Sequence, residues 1–460
     1  MPRPVIYLIY NLLLPVFLVA GLPGYLVKGA RRGGLARNFG QRLGLFAPAT
    51  RDRLRARAPL WLHAVSVGEV FVALKILRAL RDQAPDRPLV LSTTTSTGFR
   101  VAEEASLDGV TVIHNPVDLP LVARGVLDRI APAALILVES EIWPNLVALA
   151  RHRKIPVALV NARLSPRSEQ RYRRFRPVIR PVFSQLDRML VPFPADVSRW
   201  SALGIPADRI SVSGSVKFDE ASAPEAGDRA APLRDWLERT GCRDFSRILL
   251  AASTHDGEEI LAARVWHQLL PRFPGLVLVI VPRHAERGPG IAETLRDEEF
   301  TPVLRSRSHA ATGTTDPDAG TVWLADTTGE LRSWYELAAV VIVGKSFTAK
   351  GGQNPVEPIL AGKPVVVGPH MGNFREVVQD LREADGIRQI DRPEELGEAV
   401  GTLLENPASG EALAQRGATA LAKHDGAAAR TASSILGLIG EENGTIDESP
   451  AGQRTPRTAD

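Results

Sequence analysis

Short apolar runs rich in β-branched residues recur through this 460-residue chain, each followed by a helix-like segment, and this recurrence restricts the fold more than any other feature. Strands buried on both faces read as continuous apolar runs, and parallel strands need a long crossover, usually a helix. Seven such runs fall in the first half: Leu60–Ser66, Leu89–Thr95, Thr111–Pro116, Ala133–Ser140, Pro156–Ala162, Arg188–Phe193 and Ile210–Ser215. Five fall in the second: Ile248–Thr254, Leu276–Arg283, Thr321–Asp326, Val340–Gly344 and Pro364–Gly368. The polar, Ala/Pro-rich stretch between the two sets, residues 220–232, reads as a linker. The fold class is therefore α/β, with two Rossmann-like, doubly wound parallel-sheet domains over residues 31–219 and 233–440. Ligands of such sheets bind beyond the carboxyl ends of the strands, so chemistry is expected just after these runs, in a cleft faced by both sheets. Residues 441–460 have almost no large apolar side chains and are expected to be disordered.

Before the first run, residues 4–27 carry no charge. At 1.5 Å per residue this run is long enough to cross a hydrocarbon layer of about 30 Å, although Pro15, Pro23 and Gly24 weaken a helix there. A cleaved signal peptide competes with this reading, but only Arg3 precedes the apolar run and no small-x-small cleavage site stands out. An uncleaved anchor over residues 1–30 is expected. Lys28, Arg31, Arg32, Arg37 and Arg42 follow it, which places the rest of the chain on the cytoplasmic face and offers contact with anionic lipid head groups.

The formal net charge of +4 hides two concentrations. Nine basic residues face only Asp52 between Lys28 and Arg57, and ten face only Glu169 between Arg151 and Arg180. The remainder is net acidic, so positive charge is regional and calls for regional partners. One cysteine, Cys242, excludes an internal disulfide framework.

The densest motif in the second half runs from Val340 to Phe374. A buried strand ends at Gly344, a glycine-rich loop follows, and Asn354-Pro355 opens a helix. The amides of Gly351, Gly352 and the helix start can cradle a phosphate, and Glu357, with Val356 beside it, can take a ribose diol; a tight turn with a helix cap explains the glycines equally well. Pro282-Arg283, with His284, ends a strand and brings a fixed cation. Thr328-Gly329-Glu330 offers turn amides and an acceptor, or an ordinary cap; Ser253-Thr254 lead into a helix whose Asp256 and Glu258 read as first-turn acids.

The first half ends its strands on acids. Glu69 follows a glycine turn at the mouth of the first strand, where a general base would be placed, and where a solvated helix cap would also stand. Glu139 ends a buried-looking run and Glu141 follows two residues later, within Glu139-Ser140-Glu141-Ile142-Trp143-Pro144-Asn145. Lys217 ends the last strand of this half near the linker, and Thr93 to Gly98 make a hydroxyl-rich turn suited to an anion or an acceptor oxygen. In the second basic cluster, Arg163, Arg171, Arg173 and Arg174 are candidates for lipid phosphates; only Tyr172 and Phe175 interleave, so no nucleic-acid partner is expected, and a solvated helix face is the plainer reading.

Taken in order, HAVSVGE, STTTSTG, VESEIWPN, NARLS, GSVKFD, VPRH, DTTGEL and GGQNPVEP, behind an N-terminal anchor, resemble the 3-deoxy-D-manno-octulosonic acid (Kdo) transferases of lipopolysaccharide synthesis. The resemblance extends to about residue 430, and departs only conservatively at Ser140 and Ile142, where Thr and Leu are more usual. It implies a GT-B glycosyltransferase of the cell inner membrane that moves Kdo from CMP-Kdo to a lipid A precursor with inversion, without metal or other cofactor. It further implies Glu69 as base, Glu139 and Lys217 as transition-state stabilisers, and a cytidylate held by Pro282, Arg283, Thr328 to Glu330 and Asn354 to Glu357. A UDP-sugar transferase or epimerase of the same fold, and a non-catalytic membrane-anchored nucleotide-binding protein, remain as alternatives.

Overall fold

A computed structural model describes residues 3–31, 38–54, 58–219, 228–242, 245, 247–307 and 320–443. The chain divides into two compact units, Met1–Ala221 with His424–Asp460, and Ser222–Lys423.

The first unit is built on seven strands: β1 Leu60–Ala64, β2 Leu89–Thr93, β3 Val110–His114, β4 Ala134–Val138, β5 Val157–Val160, β6 Arg188–Val191 and β7 Ile210–Val212. They form one parallel sheet in the order β3-β2-β1-β4-β5-β6-β7. All seven predicted runs are strands. The winding direction reverses between β1 and β4, so loops leaving those neighbouring strands diverge and open a crevice at their carboxyl ends. The second unit holds β8 Ile248–Thr254, β9 Val277–Pro282, β10 Thr301–Leu304, β11 Thr321–Leu324, β12 Ala338–Val343, β13 Val365–Val367 and β14 Arg388–Gln389, again parallel, in the order β10-β11-β9-β8-β12-β13-β14. Here the reversal lies between β8 and β12. The two strands not legible in the sequence, β10 and β14, are the edges, where one side of the ladder is open and little apolar pressure acts.

Three features differ from the sequence reading. The second domain does not extend to residue 440: helix Ala427–Asn443 belongs to the first unit, burying Ala427, Ala428, Ala432, Ile435 and Leu438 in a core shared with helix Val67–Gln83. Asp219, buried, fixes its start by accepting from Gly426 N at 3.1 Å and Ala428 N at 2.6 Å. The linker overlaps a helix, Ala231–Arg239; residues 220–227, like the tail from 444, lie outside the described residues. Arg42 is no surface charge: it is buried, with Nη2 donating to Thr94 O at 2.6 Å and lying 3.2 Å from His114 Nδ1.

The N-terminal helix is continuous from Arg3 to Arg31, through Pro15, and is the one helix among the described residues long and apolar enough to cross a membrane. Its opening turns rest on the first unit. Tyr7 Oη donates to Pro144 O at 3.2 Å, Tyr10 Oη to Asp118 Oδ2 at 2.9 Å, and the Asn11 and Asn145 side-chain amides exchange bonds of 3.2 and 2.7 Å. Asp118 in turn accepts from Asn145 N and Leu146 N, at 3.0 and 2.8 Å, capping helix Pro144–His152; burial pushes its carboxyl up to about 6.

Candidate active site

At the reversal of the first sheet, β1 turns through Val65 and Ser66 into helix Val67–Gln83. Ser66 caps that helix: its hydroxyl accepts from Glu69 N at 3.4 Å and donates to Glu69 Oε1 at 3.0 Å, while Val65 N donates to Oε2 at 2.7 Å. The capping role read as an alternative is thus real, but the cap is not solvated. Glu69 is 8% exposed, and burial pushes its carboxyl up to about 7; the charges of Glu139 and Glu141 push the same way, against the Val65 and Ser66 hydrogen bonds. A carboxylate poised near neutrality is what proton abstraction needs.

The neighbouring loop, after β4, starts with Glu139 at φ 65°, a left-handed conformation that costs a side-chain-bearing residue roughly 1–2 kcal/mol. Asn161, at the corresponding position after β5, is also left-handed at φ 51° and fully buried, with neither amide atom bonded among the described residues. Backbone strain of this kind gathers where geometry serves function. The Glu139 loop is tied back to β1 by His63, which does not stand out in the sequence. Trp143 Nε1 lies 2.9 Å from His63 Nε2, and His63 Nδ1 lies 2.9 Å from Ser92 Oγ. Indole nitrogen can only donate, so Nε2 accepts and the proton sits on Nδ1. Burial holds His63 down at about 3, so it stays neutral and the tether holds.

Lys217 stands exposed on the turn after β7, at the far edge of the sheet from β3. That turn is held to the helix of Glu69: Lys75 Nζ donates to Lys217 O at 3.3 Å and to Asp219 O at 2.5 Å. Arg171, Arg173 and Arg174 are exposed on helix Pro166–Arg174, with Arg173 paired to Glu169 at 2.8 Å; Arg163 is partly buried before it. Thr95 of the hydroxyl-rich turn is a helix cap, accepting from Gly98 N at 3.1 Å.

In the second unit the glycine loop departs from its expected role. Gly351 N donates to His370 O at 3.1 Å and Gly352 N to Lys345 O at 2.8 Å, so neither amide is open to a phosphate. Glycine is needed for a different reason: Gly352 has φ +77°, and a Cβ there would lie 2.5 Å from Met371 Sδ. Asn354 caps the short helix Val356–Leu360, its Oδ1 accepting from Val356 N at 3.1 Å and its Nδ2 donating to Glu357 Oε1 at 3.0 Å. Pro355 is buried behind them. Glu330 is already answered by Arg305, whose Nε and Nη2 donate to it at 2.7 and 2.5 Å; burial raises its carboxyl, and the Arg305 and Thr327 hydrogen bonds bring it below the ordinary value. Thr328 and Gly329 form an exposed turn before it, and Arg283 is exposed after buried Pro282.

Two residues at the second reversal were legible only as helix-start acids and neighbours. Glu258 is buried, and its carboxylate accepts from His255 N at 2.9 Å, Lys345 N at 2.6 Å, and Ser346 N and Phe347 N at 3.0 Å, binding the loop after β12 to the loop after β8. His255 packs edge-on to His284 and lies 3.1 Å from Gln353 Nε2; burial, then Lys345, lowers its pKa, leaving a neutral ring. Lys345, His255 and Gln353 are thus gathered by loops that Glu258 organises, and Arg283 N donates to Thr254 O at 3.1 Å at the end of the adjoining strand. Replacing Glu258 by Ala would strand four amides, each costing about 1–3 kcal/mol when buried without a partner. Glu258→Ala is expected to lower the melting temperature and to speed hydrogen exchange at residues 345–347. Unchanged exchange there would contradict this organising role.

Two doubly wound parallel sheets carried on one chain define the GT-B class of fold. UDP-GlcNAc 2-epimerase from Neisseria meningitidis, solved with UDP-GlcNAc, shares this fold at TM-score 0.57, 13% identity, and coverage of 83% of this chain and 100% of that one. The family model for 3-deoxy-D-manno-octulosonic-acid transferase matches residues 37–220. The 3-deoxy-D-manno-octulosonic acid transferase of Haemophilus influenzae is 32% identical over 372 residues, 81% of this chain and 85% of that protein. Its namesake from Bordetella pertussis is 35% identical over 424 residues, 88% of this chain and 94% of that protein. The chain belongs to the 3-deoxy-D-manno-octulosonic acid transferase family.

Proposed function

We infer that the chain transfers Kdo from CMP-Kdo to a hydroxyl of the phosphorylated lipid A precursor, on the cytoplasmic face of the inner membrane to which its apolar helix holds it. The observation that carries the reading is Glu69: a buried carboxylate with its pKa near 7, at the reversal point of the sheet that the family model matches. Glu69 takes the proton of the acceptor hydroxyl as that oxygen attacks the anomeric carbon, the bond from that carbon to the CMP phosphate breaks, and the electron pair leaves with CMP. One displacement inverts the centre. The donor carries a carboxylate on the reacting carbon, so Lys217 offsets negative charge while Glu139 stabilises the oxocarbenium character and keeps Glu69 basic. Arg283 meets the cytidylate phosphate, the Thr328-Gly329 turn and Glu330 border the base, and Glu357, fixed by Asn354, faces the ribose. Arg163, Arg171 and Arg174 serve the acceptor's phosphates. No step is assigned to a metal.

Thermal unfolding with nucleotides tests the donor assignment. Ligand bound only to the native state stabilises by mass action, so CMP should raise the melting temperature, and Arg283→Ala should reduce that rise. Protection by UDP instead of CMP would turn the reading to a UDP-sugar enzyme of the same fold.

A further inference from the structure

A cavity of about 690 Å³ opens on the first unit between the N-terminal helix and helix Arg176–Phe183. Its size falls in the range of ligand pockets, roughly 300–1,000 Å³. Ile9 and Leu13 line one wall and Val178 and Ile179 the other; Ile9, Leu13 and Val178 are 42, 49 and 37% exposed. Large apolar side chains so open to water call for a cover. The lining also includes two charged residues, Glu141 and the exposed Arg171. Tyr172, in the same lining, donates to Ser140 O at 3.4 Å, next to Glu139. Glu139, next to Ser140, and Glu141, in the lining itself, both act on the charge of Glu69, so this part of the groove lies within electrostatic reach of the candidate base.

Beyond the groove, the N-terminal helix continues with Leu12, Val16, Phe17 and Val19 exposed, an apolar face of the length and composition that a hydrocarbon layer would cover. An amphiphile leaving that layer along the groove would lie with its tail between the two helices and its anionic head at Arg171. We propose that this groove binds one acyl chain of the lipid acceptor and thereby delivers the acceptor's sugar to Glu69. The proposal rests on the acceptor being a phosphorylated acyl disaccharide. Continuity with the exposed apolar face of the N-terminal helix, and a guanidinium at Arg171 able to take a phosphate beside Glu141, favour this occupant over an apolar peptide, which has no anion to offer.

The test uses the full chain in detergent micelles free of phospholipid, with a bisphosphorylated tetraacyl disaccharide and its fully deacylated counterpart as acceptors. Val178→Trp, at a position open enough to keep the fold, fills the groove; Val178→Ala is the control. The filled variant should raise KM for the acylated acceptor at least tenfold, and leave KM for the deacylated acceptor and protection by CMP unchanged. Equal losses on both acceptors would make the wall merely structural and overturn the proposal. Unchanged KM for both, with weaker flotation on phosphatidylglycerol vesicles, would assign the groove to a bilayer lipid and overturn it too. Independently of turnover, an acceptor bearing a diazirine in its acyl chain should label the peptide spanning Val178 and Ile179 or that spanning Ile9 and Leu13; labelling confined elsewhere refutes the groove. Absence of Kdo transfer by the parent protein would defeat the functional reading, while the labelling would still decide the groove.

Discussion

Glu69→Gln is expected to lower Kdo transfer by roughly a hundred- to ten-thousandfold, the usual contribution of a general base, while making the protein more resistant to unfolding above neutral pH. Both effects have one origin. Burial raises the Glu69 carboxyl from its ordinary 4.5 to about 7, so between those values the native state holds a proton that the unfolded chain has released. Stability from this group is therefore complete below pH 4.5 and is lost as pH rises through 7, a difference on the order of 3 kcal/mol. Glutamine keeps an acceptor for Val65 N and never ionises. The melting temperature of the variant relative to the parent should rise between pH 5 and pH 8, and the parent's transfer rate should climb over the same interval with an inflection near 7. A variant that gains no relative stability would show that Glu69 is not buried as described, and a parent rate flat through that interval would show that it is not the group that must be ionised.

Ending the chain at Lys423 is expected to unfold the first unit, although the residues removed lie farthest from it in sequence. Ile435 and Leu438 each stabilise by about 1.5–3 kcal/mol through burial, and the two bonds from Gly426 N and Ala428 N to the Asp219 carboxylate by about the same again apiece. Together these approach the whole stability of an ordinary domain, roughly 5–15 kcal/mol. The truncation also leaves Asp219 buried without those donors and bares one face of the helix that carries Glu69. Hydrogen exchange should become rapid in β1, β2 and β4 while β8 and β9 stay protected. Protection retained in the first sheet would show that the C-terminal helix is dispensable.

What could be read from the sequence, and what could not, follows from range. The five inner strands of each sheet are legible because strands buried on both faces must be apolar throughout; at the edges that requirement lapses, and there β3 and β7 still show short β-branched runs while β10 and β14 do not. The return of helix Ala427–Asn443 was not legible, since its apolar stripe identifies a buried helix but not which sheet it covers. Glu69 and Glu139 were found because strand ends are local, whereas the Trp143–His63 tether joins residues 80 positions apart and appears in the sequence only as a histidine in an apolar strand. Gly351 and Gly352 looked like phosphate donors because glycine serves open amides and tight turns alike; only the bonds to His370 O and Lys345 O separate the two uses. Glu258 stands in the sequence only as a helix-start acid, because three of the amides that donate to it lie 87 to 89 residues away.

The measurement that bears most directly on the account is the mass of the lipid product. The full chain and its Glu69→Gln variant would each be incubated with CMP-Kdo generated in situ and a bisphosphorylated tetraacyl disaccharide, and the lipid weighed by mass spectrometry. The parent should yield an acceptor heavier by whole Kdo residues, and the variant an unchanged acceptor. An unchanged acceptor with the parent, or equal product from both proteins, would contradict this reading.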